Sequence, residues 1–395
     1  MQTVGYVLEE FPVLSETFVG NEIRAMQSLG HKVVPLILKR ASGPAQPEDI
    51  KLSQEGAHFI GEAGVRTALP SLKCLSLKSS EAINFVNTQM YLPKFSLLGN
   101  SFKIASFAST EKVDHFHAHF SGPASAHAIA AARLSRKTVS FVCHGHDVYE
   151  EAYDLPLKLA SADFVVSVCN DLSNDLHDIQ PAAKVSMIPC GTDPRKFQSV
   201  STSQCNGRLL FIGRLVEQKG VDDILQAFSE MDKFPPIDIV GDGPLRKFLE
   251  EKAAVLDPRE NTIKFLGVRD SHWLAGNAPN YMALIAPFKK ATNGARDTGP
   301  LVVKEAMSME LPVITTAFMG MKETVTPETG FLVTPGNPTS LRQGIEDLLK
   351  LSKEERKALG RAGRKRVLAH FTLEKSGLKL SSAIQMCQRE NTGNL

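Results

Sequence analysis

Short apolar runs separated by amphipathic stretches recur along almost the whole of this 395-residue chain, and that alternation points to parallel-sheet α/β architecture. Val4–Leu8, Val33–Leu38, Val113–Phe116, Thr138–Val142, Phe164–Val168 and Val185–Ile188 read as buried strands, with helical patterns between them. The helix expected over Thr17–Leu29 stops at Gly30, a residue suited to the left-handed turn that ends many helices. A second series reads Arg208–Ile212, Ile237–Val240, Ile263–Phe265, Ala283–Ala286, Val313–Thr315 and Phe331–Val333. Between the two series, Asp193–Gly207 is rich in Ser, Thr, Gln and Asn and reads as a linker. A chain of this length exceeds what one core usually serves. Two doubly wound, Rossmann-like domains are therefore expected, over 1–192 and 208–372, joined by 193–207. Such sheets bind ligands outside the carboxyl ends of their strands, so the two domains are expected to face a cleft. The tail, about Lys353–Gln388, reads as two helices, the first strongly basic around Arg361–Arg366. The last one, about 373–395, is expected to pack back on the first domain.

Composition removes several function classes. Hydrophobic residues at 43% and charged residues at 22% describe an ordinary globular protein, and a net charge of +2 gives no basis for nucleic-acid binding. No apolar run approaches the length of a membrane span. The opening Met-Gln-Thr-Val-Gly-Tyr-Val-Leu enters a strand with no secretory signal pattern. Cys74, Cys143, Cys169, Cys190, Cys205 and Cys387 lie far apart without a CxxC, as reduced thiols of a cytoplasmic protein do. One segment breaks the strand–helix alternation. Residues 72–109 mix Lys73, Lys78, Lys94 and Lys103 with Leu, Phe, Met and Tyr, and read as a helical insertion over the sheet or a basic amphipathic surface for anionic lipid.

Four motifs carry chemistry. In Asp297-Thr-Gly-Pro-Leu-Val-Val-Lys-Glu305, two carboxylates flank a Gly/Pro turn that leads into a helix, whose first amides suit phosphate. Carboxylates beside such amides suit a ligand that is both anionic and rich in hydroxyls, a nucleotide-sugar. Gly213-Arg214-Leu-Val-Glu-Gln-Lys219-Gly220 follows a strand directly and offers a guanidinium fork and a mobile ammonium, a pair fitted to a diphosphate. Val240-Gly241-Asp242-Gly243-Pro244 is a second strand-end turn, weak as a nucleotide fingerprint by itself. The histidines form two groups, His115/His117/His119 and His144/His146. Alternate strand residues share a face, but no local Cys or Glu completes a zinc set, so no metal is expected. His144, just past a strand, reads as a hydrogen-bond donor to a hydroxyl or phosphoryl group, and the other histidines read as structural.

Together these pieces resemble the retaining glycosyltransferases of family 4, over nearly the whole chain, and the exopolysaccharide and colanic-acid branch in particular. Phe11-Pro-Val-Leu-Ser15-Glu16-Thr-Phe18 with Asn21-Glu22 and Gly30-His31 resembles that branch's first loop and helix. Phe141-Val-Cys-His144-Gly-His-Asp147 resembles its His-x-x-Asp loop, and Ile188-Pro-Cys-Gly-Thr-Asp193 its interdomain element. Gly213–Gly220 resembles its diphosphate motif and Asp297–Glu305 its E-x7-E pair.

The resemblance implies a GT-B fold and transfer of a hexose from a GDP- or UDP-linked donor to a saccharide, lipid-linked in surface-polysaccharide assembly. It assigns Arg214 and Lys219 to the diphosphate, with amides near Gly299, Leu301 and Val302. Glu305 is assigned to the ribose, Asp297 to hydroxyls of the transferred sugar, and His144 to the sugar or the acceptor. Gly213, Gly241, Gly267 and Val268 fall on the donor side, and Ser15, Glu16 and Asp147 on the acceptor side. No cofactor is expected. Retention then implies front-face substitution, because no further carboxylate is placed as a nucleophile. Three departures stand out: Asp297 in place of Glu, Ser15-Glu16 in place of Gly-Gly (as in the branch), and the cations Lys289, Lys290 and Arg296 just before the motif. Two other readings compete: a nucleotide-sugar 2-epimerase on the same fold, and a non-catalytic nucleotide-sugar binder. An NAD oxidoreductase is disfavoured because Val4–Leu8 leads into Glu-Glu-Phe-Pro instead of G-x-G-x-x-G.

Overall fold

A computed structural model describes residues 1–64, 67, 79–199, 205–259 and 261–393. The chain divides into two compact units, Met1–Cys190 with the segment from Leu373 onward, and Gly191–Thr372.

The first unit is built on seven strands: β1 (Thr3–Phe11), β2 (Lys32–Arg40), β3 (His58–Phe59), β4 (His115–His119), β5 (Thr138–Cys143), β6 (Phe164–Ser167) and β7 (Val185–Met187). Their order is β3-β2-β1-β4-β5-β6-β7, and every pairing is parallel. Helices α1 (Thr17–Ser28), α2 (Pro47–Gln54), α3 (Ser79–Thr88), α4 (Lys94–Glu111), α5 (Pro123–Ser135), α6 (His146–Tyr149), α7 (Leu155–Ser161) and α8 (Asn170–Ile179) connect them. The strand expected over Val113–Phe116 lies two residues later. Apolar runs mark buried strands in parallel sheets, but here His115 and His117 are fully buried because β5 supplies hydroxyl partners from Thr138 and Ser140. The two-residue β3 was too short to leave a pattern. The basic amphipathic segment is helical over 79–88 and 94–109; residues 72–78 lie outside the described residues.

The second unit carries β8 (Leu209–Ile212), β9 (Ile237–Val240), β10 (Ile263–Gly267), β11 (Ala283–Ala286), β12 (Val313–Thr316) and β13 (Phe331–Val333), in the order β10-β9-β8-β11-β12-β13. Helices α9 (Val221–Ser229), α10 (Arg246–Leu256), α11 (Ser271–Asn277), α12 (Leu301–Ser308), α13 (Met321–Thr324), α14 (Pro338–Lys350) and α15 (Lys353–His370) flank it. One side buries Phe211, Ile224, Phe228 and Ile239, the other Leu210, Leu284, Val303 and Met307. Ser352 and Glu355 form a reciprocal capping box at the start of α15, worth about 1 kcal/mol.

The first part of the expected linker is structural. Phe197 is buried in the core beside Leu210 and Phe371, and its carbonyl accepts from Ser308 Oγ at 2.8 Å and Arg364 at 3.3 Å. Its polar composition concealed one aromatic anchor.

The last helix, α16 (Leu373–Thr392), belongs to the first unit. Gly377 lies against Ala25 of α1, where an added Cβ would come within 3.1 Å. Ser381 Oγ and His31 Nε2 are 2.8 Å apart, and Ser376 donates to the Pro189 carbonyl at 2.7 Å. Leu380 and Ile384 are buried, each contributing roughly 1.5–3 kcal/mol by the usual area relation.

Candidate functional site

In each sheet the strand order reverses once, between β1 and β4 in the first unit and between β8 and β11 in the second. Side chains that follow those strands are the ones a doubly wound sheet offers to a ligand.

In the second unit, the loops after β8 and β11 carry the expected donor residues. Gly220 has φ of +70°, and a Cβ there would come within 2.1 Å of the Pro287 carbonyl oxygen, so the two loops press backbone to backbone. Glu217 accepts from the Thr292 amide at 3.0 Å and its hydroxyl at 2.7 Å, tying the loops together again. In that frame Lys219 Nζ donates to Asp297 Oδ1 at 3.0 Å, and it also sits 5.1 Å from the centre of the Phe288 ring. Asp297 Oδ2 is buried with no hydrogen-bond partner. Arg214 is exposed and makes no ion pair among the described residues. Lys289, one of the three cations just before the motif, pairs with the buried Asp223 of α9 at 2.5 Å.

Gly213 and Gly241 end β8 and β9. Gly241 adopts φ of +139°, and a Cβ there would lie 1.9 Å from the Gly213 carbonyl oxygen, so only glycine fits at position 241. Gly267 ends β10 and accepts from the Gly241 amide at 2.9 Å, with Val268 exposed beside it. Gly299 lies two residues before α12, with Pro300 between as its N-cap, and Leu301 and Val302 occupy the first turn, where amides have no intrahelical acceptor. Glu305 stands on the next turn of α12. Burial pushes its carboxyl up to about 7, with Lys196 opposing.

The first unit gathers a second cluster that sequence only half announced. His119 Nδ1 and His144 Nε2 are 3.0 Å apart, and His119 Nε2 lies 3.2 Å from Glu22 Oε1. His117 Nε2 faces the same oxygen at 3.1 Å, off the line of a good hydrogen bond, and Tyr6 donates to it at 2.9 Å. Burial by itself would raise the Glu22 carboxyl; His119 and His117 more than offset it and hold it well below its ordinary value. Burial pushes the His144 and His117 imidazoles down. Phe18 and Phe120 pack on His144, with ring centres 4.2 and 4.8 Å away. Phe120 takes φ of +68°, an uncommon conformation for an aromatic residue that costs of order 1–3 kcal/mol.

One acceptor-side expectation changes. Asp147 is buried, and its carboxylate is filled by backbone amides: His144 at 2.9 Å, Gly145 at 3.0 Å and Ser121 at 2.7 Å. It shapes the His144 loop, and both of its oxygens are already engaged by backbone amides. Glu16 stands at the N-cap of α1, where burial raises its carboxyl to about 7 against the pull of His119. Ser15 is exposed beside it. Glu22, His117 and His119 bring ligand-type atoms within 4.8 Å of one another, a cluster the sequence reading left as structural. The His-x-His spacing on β4 was the available signal; α1, distant in sequence, supplied the carboxylate. Lys158 was missed altogether. It is buried and donates to the carbonyls of Ser121, Gly122 and Tyr153, and burial lowers its ammonium to about 8.

Known proteins share this fold. Residues 15–196 match the family Glycosyltransferase Family 4, and residues 194–366 match Glycosyl transferases group 1. The chain is similar over its length to solved structures: Anabaena HepE in complex with UDP and glucose (TM-score 0.74, 15% identity, 98% of this chain and 100% of that one) and a glycosyltransferase from Rickettsia africae (TM-score 0.72, 18% identity, 98% and 99%).

The chain is a GT-B glycosyltransferase.

Among sequence relatives of this glycosyltransferase is WcaL of Salmonella typhimurium, named for colanic acid biosynthesis, at 23% identity over 97% of this chain and 99% of the relative. AmsK of Erwinia amylovora, named for amylovoran biosynthesis, is 23% identical over 88% of this chain and 89% of its own length. Five cysteines among the described residues of the glycosyltransferase are free thiols, and no described helix is long and apolar enough to cross a membrane.

Proposed function

We propose that this enzyme transfers a hexose from a nucleoside-diphosphate sugar to a saccharide acceptor in surface-polysaccharide assembly, with retention of anomeric configuration. The observation that carries the proposal is the Lys219–Asp297 pair at the strand-order reversal, with one carboxylate oxygen buried and unpartnered. A diphosphate and a sugar hydroxyl would complete that arrangement. Lys219 turns toward the phosphates, and Asp297 Oδ2 accepts from the sugar. Arg214 and the first amides of α12 take the remaining phosphate oxygens, and Glu305 accepts from ribose hydroxyls. As the bond from the anomeric carbon to the phosphate oxygen lengthens, negative charge grows on the diphosphate. Fixed cations and amides stabilise that charge more than they stabilise the bound donor. A donor phosphate oxygen takes the acceptor's proton on the same face. No metal has a part in this proposal, since the two cations supply the neutralising charge.

The relatives named for colanic acid and amylovoran support the polysaccharide setting. A lipid-linked acceptor and a cytoplasmic, membrane-bordering location fit one surface feature. Met90, Tyr91 and Phe95 are 78%, 58% and 95% exposed around Lys94, at the turn between α3 and α4. Co-sedimentation with anionic vesicles, lost in Phe95→Asp, is the corresponding check.

The deciding experiment is a thermal-shift panel of UDP-, GDP- and ADP-sugars. A bound donor raises the melting temperature according to RT ln(1 + [L]/Kd), and Arg214→Ala and Lys219→Ala should abolish the rise. A real hit untouched by either change would move the donor site elsewhere. C2 epimerisation of the donor without any acceptor would sink the transferase assignment.

A further inference from the structure

Three side chains from two elements converge at the strand-order reversal of the first unit. His117 and His119 share one face of β4, and Glu22 reaches them from α1, 97 positions before His119. His117 Nε2 lies 3.1 Å from Glu22 Oε1, and His119 Nε2 lies 3.2 Å from the same oxygen. All three ligand-type atoms fall within 4.8 Å of one another. Hydrogen bonding accounts for only part of this arrangement. His119 Nε2 is in line with Glu22 Oε1, and Tyr6 donates to that oxygen at 2.9 Å. A proton on His119 therefore answers the charge of the carboxylate but does nothing for His117. That ring is fully buried, and its Nε2 has no hydrogen-bond partner, an unfavourable state for a polar atom sealed from water. One cation between the three atoms gives every lone pair a partner at once.

We propose that Glu22, His117 and His119 bind one divalent ion of the first transition row, with zinc as the type case. Two imidazoles and a carboxylate suit such ions, whereas magnesium and calcium take oxygen ligands. Bonds of about 2.0–2.2 Å to nitrogen and oxygen put neighbouring ligand atoms roughly 3.3 Å apart, close to the 3.1 and 3.2 Å found from Glu22. The outer contacts fit as well. A histidine bound through Nε2 is held by a partner at its other ring nitrogen. His117 Nδ1 is 2.7 Å from Ser140 Oγ, and His119 Nδ1 is 3.0 Å from His144 Nε2. Tyr6 packs against both imidazoles, with ring centres 5.2 and 6.1 Å away, and Phe18 lies 5.9 Å from His119. This wall keeps water off one side of the cluster, while the Glu22 side chain, 19% exposed, leaves a way in. The ion ties α1 to β4 and, through His119, to the His144 loop. The site belongs wholly to the first unit, and the cations assigned to the diphosphate belong to the second, so it stands independently of the transferase reading.

The test uses the full-length enzyme, stripped with a chelator, dialysed and then given zinc ion alone. The expected result is one equivalent of zinc retained through gel filtration, measured by atomic emission, with a melting temperature above that of the stripped enzyme. Losing even an outer partner of a metal ligand costs about 10- to 100-fold in affinity. Glu22→Gln and His117→Gln should therefore each weaken calorimetric zinc binding at least tenfold. In wild-type enzyme labelled with 15N-histidine, zinc should carry two ring nitrogens, both Nε2, to metal-bound shifts. A wild type that retains no zinc would overturn the proposal and reduce the cluster to an ion pair of His119 with Glu22. Zinc bound with wild-type affinity by folded Glu22→Gln and His117→Gln would also overturn it, as would a spectrum with one shifted ring or with metal on Nδ1. Where the variants do not fold, the stoichiometry and spectrum of the wild type decide alone.

Discussion

Asp297 holds Lys219 at 3.0 Å through one oxygen and leaves its other oxygen buried without a partner. The carboxylate that sequence comparison marked as one methylene short is therefore already engaged with the cation expected to serve the diphosphate. The pair acts as one device with two outlets, a charge for phosphate and an acceptor for a hydroxyl.

Removing the carboxylate should separate those outlets. Asp297→Ala frees Lys219, so calorimetric affinity for the nucleoside diphosphate should stay within about threefold of wild type or tighten. Transfer should fall about ten- to a hundredfold, as a hydrogen bond to a charged group of roughly 1.5–3 kcal/mol implies. A loss of diphosphate affinity equal to the loss of kcat/KM would assign Asp297 to phosphate binding instead.

The two cations should differ in what else they cost. Arg214 is exposed and makes no ion pair among the described residues, so Arg214→Ala should weaken diphosphate binding with the melting temperature of the free enzyme unchanged. Lys219→Ala leaves the mostly buried Asp297 without its cation and should lower both. Loss of a partner for a fully buried charge costs about 3–5 kcal/mol, an upper limit for this partly exposed pair. Denaturant titration of the two variants side by side is the measurement.

Glu305 should give the free enzyme a stability that falls as pH rises. Burial raises its folded carboxyl from 4.5 to about 7, so the native state holds this proton more tightly than the unfolded chain. The resulting stability is fully present below the unfolded value and is lost as pH passes through the folded one. Glu305→Gln should therefore remove one component of the decline between about pH 4.5 and 7. Wild type and variant compared by urea titration at pH 5 and pH 8 test this; an unchanged difference between the two pH values would contradict it.

Gly241→Ala should be among the most damaging single-methyl additions. The new Cβ would meet the Gly213 carbonyl oxygen at 1.9 Å in a backbone with φ of +139°. Gly30→Ala is the control: φ is also positive, at +85°, but nothing lies within 4 Å, so a cost near 1 kcal/mol is expected. Equal melting temperatures for the two variants would show that the β8 and β9 turns are not in backbone contact.

Most strands of both sheets were legible because buried parallel strands leave apolar runs, and Ile237–Val240, Ala283–Ala286 and Phe331–Val333 fall where the pattern put them. β4 was misplaced by two residues because its buried positions are histidines, whose burial depends on hydroxyls from β5. Phe197 was read as linker for the opposite reason, one anchor among polar neighbours. In the candidate site, Arg214, Lys219, Asp297 and Glu305 were each nameable from motifs. The pairing of Lys219 with Asp297 across 78 positions was not, since it depends on β8 and β11 being neighbours. Asp147 was taken for a ligand contact because a motif records that a carboxylate is present, not which amides already fill it.

Helix α16 completes a unit whose other elements all precede residue 191, so that unit cannot close until residues 191–372 have been made. Residues 191–372 form an uninterrupted segment that can fold as soon as it emerges. The face of α1 around Ala25 and Leu29, which α16 covers near Gly377, stays uncovered until α16 has been made. A nascent chain stalled at residue 372 would present that apolar face to solvent.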